Sequence, residues 1–268
     1  MVDEFVGVVH RVVHRLAPGA TVVDLTHDVP AQDIHAGAMT LWRAVRWLAP
    51  SVVLAVVDPG VGTTRRAVAV EGAAGALVLV GPDNGLLTPA AYALGPPTRA
   101  VALTDPRWHL RPERSGEEGA TFDGRDIFAP VAAHLCAGVD LSELGEPVPT
   151  EELVGGPLVL AESEPATAAR DGLDAEVLWI DRYGNVELGV RPATVDPIGT
   201  RIHISSNTGS ATAGEWVAVR ARGYAELDAD QLGLIPDSAD LLAVCLNRGS
   251  AASALGVGAG DRVHLGPA

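Results

Sequence analysis

The chain has 268 residues, 47% of them hydrophobic and 20% charged, which gives enough apolar material for one large core or two modest ones and rules out a disordered chain. Its net charge of −15 repels phosphate backbones and argues against general nucleic-acid binding. All 19 basic residues are arginine, which excludes a Schiff-base lysine and a lysine-dependent phosphate loop.

Cys136 and Cys245 lie far apart in apolar runs, too few for a disulfide framework or a zinc site. Both read as buried free thiols, as suits a reducing cytoplasm. No apolar stretch has the length of a membrane span and no signal peptide is visible, so a cytoplasmic protein without membrane contact is expected.

In chain order, residues 5–16 carry apolar positions at helical spacing and end at Ala17-Pro18-Gly19. TVVDL (21–25) reads as a short strand, and 34–48 as a helix after a polar loop. SVVLAVV (51–57) is a continuous apolar run, the pattern of a strand buried on both faces. RAVAVEG and ALVLVG read as two further strands, Gly85 to Leu94 as a helix, Arg99 to Leu103 as a strand and 126–137 as a helix. This alternation predicts an N-terminal α/β domain with a mostly parallel sheet over 1–155. A Pro-, Gly- and Glu-rich stretch then reads as a linker at 156–172. EVLWI, NVELGV, RIHIS, EWVAVR, DLLAVCL and RVHL predict a smaller β domain over 173–268.

Ligands of open α/β sheets bind beyond the carboxyl ends of strands. Polar loops follow several predicted strands: Thr26-His27-Asp28, Asp58-Pro59-Gly60-Val61-Gly62-Thr63 and Pro82-Asp83-Asn84-Gly85. A fourth, Thr121-Phe122-Asp123-Gly124-Arg125-Asp126, precedes a helix. Each has a plain reading as well. Asp28 and Asp33 suit helix caps, His27 and His35 suit packing or surface positions, and Arg125 with Asp126 suits a local ion pair. The Asp/His loop around His27 lacks a recognised metal spacing, and DPGVGT differs from the GxGxxG dinucleotide fingerprint. These features alone lead to an α/β protein with a polar crevice and a β domain.

Taken together and in order, VVDLTHDVPAQDI, VVDPGVGTTRR, VGPDNGLL, TFDGRDIFAP, IDRYGNVEL and LNRGSAA resemble the motifs of the SAM hydroxide adenosyltransferase family, relatives of the fluorinating and chlorinating SAM enzymes. The resemblance runs over nearly the whole chain, from about residue 3 to 265. It implies an N-terminal α/β domain, a C-terminal β domain, and a homotrimer with S-adenosylmethionine (SAM) held at subunit interfaces. It also implies hydrolysis of SAM to adenosine and methionine, with no cofactor.

The hydrolytic branch holds its water with an Asp-Arg-His set, which maps onto Asp58, Arg65 and, in place of histidine, Asp123. The halogenating branch has Tyr where this chain has Asp58, and its fluorinating members have Ser where this chain has Gly124, so no halide pocket is expected. Substrate contacts carry over to Asp3 and Asp181 at the methionine ammonium and Ser238 at its carboxylate. Thr121 and Phe122 map to the sugar and adenine region. Tyr183, Asn185, Tyr224 and Leu246 to Arg248 map to the adenine. Val61 belongs to an apolar wall about the sulfur, and Asn84 lies in a further family motif. An arginine beside a carboxylate weakens it as a base, so positioning of the water is expected to outweigh proton abstraction.

Two departures stand out. Asp123 replaces the family histidine, and an ionised carboxylate accepts but does not donate. The chain also begins just after the family's TDFG-like strand. A SAM- or adenosine-binding trimer without turnover is therefore the first alternative, and a metal-dependent hydrolase built on the His27 loop is the second.

Overall fold

A computed structural model describes residues 2–110, 122–156, 172–206 and 215–268, with Val2 and Asp3 described as backbone only. The chain divides into two units, Met1–Pro157 and Leu158–Ala268.

The first unit is a five-stranded sheet with helices on both faces. The strands are β1 (Ser51–Leu54), β2 (Ala67–Gly72), β3 (Leu77–Pro82), β4 (Arg99–Ala102) and β5 (Glu146–Pro147), in the order β1-β3-β2-β4-β5. Their side chains alternate between two cores, as the period of a strand requires. Val68, Val70, Leu77 and Leu79 face α2 (Ile34–Val45) and α3 (Thr88–Tyr92). Ala69, Val80 and Val101 face α4 (Ala129–Cys136). The amphipathic α1 (Val2–Leu16) packs Val9, Val12 and Val13 against Ala129 and Ala133 of α4.

Several expectations are corrected here. The sheet is not mostly parallel among the described residues: β1 pairs parallel with β3, but β2–β3, β2–β4 and β4–β5 are antiparallel. The turn after β2 is short, at Ala73–Gly75, and a short connection returns the chain antiparallel, because a parallel return needs a crossover. TVVDL is not a strand; Val22, Val23 and Leu25 are exposed, and no described neighbour supplies the rungs that would make it one. β1 ends at Leu54 and is partly exposed throughout, because it is the edge strand of the described sheet. The helix read from Gly85 begins only at Thr88, where Pro89 occupies the first turn and Gly85 has φ +94°. Cys136, the last residue of α4, is exposed, while Cys245 is buried. Desolvation pushes the Cys245 thiol up to about 11.

The second unit is a closed seven-stranded barrel in the order β10-β11-β7-β6-β12-β8-β9. Its strands are β6 (Leu173–Ile180), β7 (Val186–Leu188), β8 (Arg201–Ser206), β9 (Glu215–Arg220), β10 (Leu232–Pro236), β11 (Leu242–Leu246) and β12 (Arg262–Pro267), with α5 (Ala251–Leu255) between the last two. Every neighbouring pair is antiparallel except β9–β10. Val177, Val186, Leu188, Ile202, Ile204, Leu234 and Val244 fill the interior. β10 and α5 were not among the elements expected from sequence. No described helix is long and apolar enough to cross a membrane.

Candidate active site

The loop that leaves β1 carries Asp58 and returns through Gly60 to Arg65 at the foot of β2. Two successive turns shape it: the Val61 amide donates to the Asp58 carbonyl at 3.3 Å and the Thr63 amide to the Gly60 carbonyl at 3.1 Å. The Thr63 hydroxyl donates to the same Gly60 carbonyl at 2.7 Å. These turns fold Arg65 back on Asp58. Its Nε donates to both carboxylate oxygens at 3.1 and 3.0 Å, and its Nη2 donates to Asp58 Oδ2. Gly60 keeps the approach open, since a Cβ there would sit 3.3 Å from Arg65 Cγ and 3.7 Å from Asp58 Oδ1.

Arg65 Nη2 also donates to Asp123 Oδ2 at 2.5 Å. Asp123 stands at the head of a π-helical turn over Gly124–Phe128 and does not spend its side chain as a cap. The wider turn brings Phe128 round beneath the guanidinium, with Arg65 Cζ 5.3 Å from the ring centroid. Side-chain exposures are only 5% for Asp58, 11% for Arg65 and 7% for Asp123. Burial works against the charge on Arg65, but hydrogen bonds and attraction from the two carboxylates outweigh it and hold its pKa above the ordinary value. Two carboxylates and one guanidinium form a buried cluster of net charge −1.

The neighbouring residues are structural in their contacts. Asn84 Nδ2 donates to the Val57 carbonyl at 2.9 Å, and Asn84 Oδ1 accepts from the Leu86 amide at 3.1 Å. Buried Asp83 accepts from Arg66 Nε at 2.7 Å and from the Val154 amide at 2.8 Å. Arg125 pairs with Asp126 at 2.6 Å, the local ion pair that the sequence suggested, and stacks 4.7 Å from the exposed Phe122 ring. Val61 is half-buried in the same loop as Asp58.

In the barrel, Asp181, Tyr183, Asn185, Tyr224, Leu246, Arg248 and Gly249 line an open cleft of about 630 Å³. Asp181 organises its rim: Oδ1 accepts from the Tyr183 amide at 2.8 Å and the Asn185 amide at 3.0 Å, and Oδ2 accepts from Asn185 Nδ2 at 2.7 Å. Gly184 completes the turn with φ +81°, and a Cβ there would meet Ser250 Oγ at 2.1 Å. Tyr183 and Tyr224 present exposed rings, the Arg182 guanidinium lying 4.9 Å from the former. Partial burial, with Cys245 and Asp181 adding to it, raises the Tyr224 pKa against an opposing hydrogen bond from Asn185. Two aromatic faces beside hydrogen-bonding amide and carboxylate groups suit a flat heterocycle.

The structure thus brings Asp58, Arg65 and Asp123 together in one unit, and Asp181, Tyr183, Asn185, Tyr224, Leu246 and Arg248 together in the other. Ser238 is exposed in the turn between β10 and β11, at the far end of that hairpin from Leu246. Thr121 and the Asp3 side chain lie outside the described residues. Asp33 caps α2 through the Ala36 amide at 2.8 Å, whereas Asp28 lies in a bend where its amide donates to Thr26 Oγ1. His27 and His10 both bond Asp24 Oδ1, at 3.1 and 2.8 Å. Among the described residues no group of three or more His, Cys, Asp or Glu side chains is placed to hold a metal ion. Phe128 and Gly249 were missed from sequence. An ordinary helical reading aligns residue 123 with 127, and only the π-turn brings 128 round.

Residues 1–145 match the model of the SAM hydroxide adenosyltransferase N-terminal domain, and residues 175–264 that of its C-terminal domain. The chain is 42% identical over 265 residues to a protein of Salinispora tropica named (R)-S-adenosyl-L-methionine hydrolase, covering 99% of this chain and 94% of that one. It is 43% identical to a protein of the same name from Thermus thermophilus, covering 98% and 94%. An uncharacterized conserved protein from Thermotoga maritima has a solved structure that superposes with a TM-score of 0.81 at 29% identity, covering 97% of this chain and 95% of that one.

Proposed function

The chain belongs to the SAM hydroxide adenosyltransferase family, and from that premise we propose that it hydrolyses S-adenosylmethionine. Water attacks the ribose C5′, the C5′–S bond breaks with its electron pair passing to sulfur, and adenosine and L-methionine leave. The observation that carries this reading is the buried Asp58–Arg65–Asp123 cluster.

Its charge suits the reaction. SAM begins with a positive sulfonium, and as a neutral water attacks, that charge migrates to the attacking oxygen. Carboxylates placed at the water favour the migrated charge more than the starting one, which is stabilisation specific to the transition state. Arg65 fixes both carboxylates through charge-assisted hydrogen bonds, so little reorganisation is needed as the charge arrives. The water gives up its proton as the O–C5′ bond forms, to an Asp58 or Asp123 oxygen and then to solvent. The thioether is already an activated leaving group, so the step calls on no cofactor.

The barrel cleft supplies recognition in this reading. Tyr183, Tyr224 and Asn185 take the adenine, with Leu246 and Arg248 beside it, and Asp181 lies toward the methionine. Phe122, Val61, Ser238, Thr121 and Asp3 keep the roles that the family resemblance gives them. That resemblance also supports a homotrimer in which the two residue sets at one substrate come from neighbouring copies. The relatives' name specifies the (R) epimer at sulfur, and we assign the same preference to this chain.

The test is product analysis with each SAM epimer separately, with and without chloride and with and without a chelator. Adenosine and methionine in equal amounts, formed faster from the (R) epimer and indifferent to both additives, is the expected result. A 5′-chloro product, or loss of activity with chelator, would overturn it.

A further inference from the structure

We infer that Asn84 is a positioning residue for Asp58, holding the catalytic loop through the Val57 carbonyl rather than touching the substrate. This rests on the hydrolytic reading above only for its effect on turnover; the mechanical part stands on geometry.

Paired β1–β3 residues end at Leu54, and one more bond follows, from the Ala55 amide to the Val80 carbonyl at 3.0 Å. Beyond it the chain leaves the sheet on its way to Asp58, and the two intervening residues, Val56 and Val57, would let a carboxylate wander if nothing held them. The Asn84 amide supplies the missing rung, since its Nδ2 donates to the carbonyl of Val57, the residue just before Asp58, at 2.9 Å. The same side chain is itself held, because Oδ1 accepts from the Leu86 amide at 3.1 Å. An amide uses one donor and one acceptor to tie two loops that the sheet does not tie.

A second contact supports the same point. α2 crosses these two loops at Gly37, where a Cβ would lie 2.9 Å from Val57 Cγ2 and 2.8 Å from Leu86 Cδ1. Val57 and Leu86 are therefore gripped together by the helix above them and by Asn84 between them. Asp58 begins one residue beyond this grip, and Arg65, itself bonded to Asp123, holds it from the other side. Catalytic geometry is lost with displacements of about 1 Å, so the rung bears on rate more than on substrate affinity.

The experiment uses Asn84→Asp, which keeps the acceptor for Leu86 but presents no donor to Val57, and Asn84→Ala. Hydrogen exchange reads the support without turnover. The amides of Val61 and Thr63 are expected to exchange about tenfold faster in both variants, the worth of one buried hydrogen bond, while those of α4 are unchanged. Turnover on SAM is expected to drop at least about tenfold with KM within about twofold, as for loss of an interaction that serves only the transition state. In an Asp58→Ala background the same changes should cost little further, because the residue acts through Asp58. Unchanged exchange in the 58–63 loop overturns the inference whether or not the wild-type chain hydrolyses SAM. So does a rise in KM that persists in the Asp58→Ala background, which would make Asn84 a substrate contact. A wild-type chain that releases no adenosine, with loop exchange still faster in the variants, sinks the hydrolytic reading and leaves the positioning role standing.

Discussion

Asp123 stands where the family resemblance puts a histidine. The substitution leaves the cluster without the side chain whose unperturbed titration falls between pH 5 and 8, and Arg65 is held charged by its two partners. Turnover is therefore expected to vary by no more than about twofold from pH 6 to 8, while Asp123→His should introduce an inflection near the ordinary imidazole value of about 6.5. A pH–rate profile of the two proteins checks this, and an inflection of equal size in both would contradict it. Much of the geometry at this scale was legible in the sequence. Asp58 and Arg65 lie in one loop, and the TFDGRD loop offered Asp123 by resemblance. Phe128 was not legible, because its place under Arg65 depends on a π-turn that leaves no periodic signature in five residues. The contacts of Asn84 were equally hidden: a motif shows that an amide is present, but not that its two ends are spent on backbone.

At the scale of elements, the pairing of β2 with β4 shows what holds the sheet far from the site. Glu71 and Arg99 face each other in register and meet at 2.5 Å, with the Thr98 hydroxyl donating to the same carboxylate. The Arg99 hydrogen bond, assisted by Thr98, holds Glu71 below its ordinary 4.5 against a desolvation that pushes the other way. A carboxylate with a depressed pKa in the fold adds stability above its ordinary value and loses it as pH falls through the lower folded value. Because Arg99 is nearly half exposed, solvent screening limits Glu71→Gln to a loss of about 0.5–1 kcal/mol at pH 7. That loss should vanish well below pH 4.5. Denaturant titrations at pH 7 and pH 3 test the sign, and an equal gap at both would refute it.

Element type was mostly readable from apolar period, but direction and pairing were not. Strand direction depends on which partner the chain meets, and β2 returns against β3 through a turn too short for a crossover. β10 carries no clear strand signature because Gly233 and Pro236 look like turn residues. Gly233 is needed there for packing, as a Cβ would meet Leu227 Cδ1 at 2.4 Å. TVVDL failed in the opposite sense, since β-branched residues without a paired neighbour are only an extended segment.

For the whole molecule, the two residue sets belong to different units of the chain, and the trimer proposed above has them meet across copies. Three chains of 27.6 kDa would sediment as a particle of about 83 kDa. Sharing of sites has a sharper consequence. Asp58→Ala and Asn185→Ala chains are each expected to be nearly inactive. Mixed by unfolding and refolding together, they should regain about a quarter of wild-type activity, because random assembly around a cyclic interface restores some intact sites. No recovery on mixing would place each site within a single copy.

Attack of water at C5′, directed by Asp58, is followed by supplying SAM in water enriched in heavy oxygen and locating the label by mass spectrometry. Adenosine labelled at the 5′ oxygen, unlabelled methionine, and a rate that falls about 100- to 1,000-fold in Asp58→Ala are expected. Adenosine formed without the label, or formed as fast by Asp58→Ala as by the wild type, would contradict it.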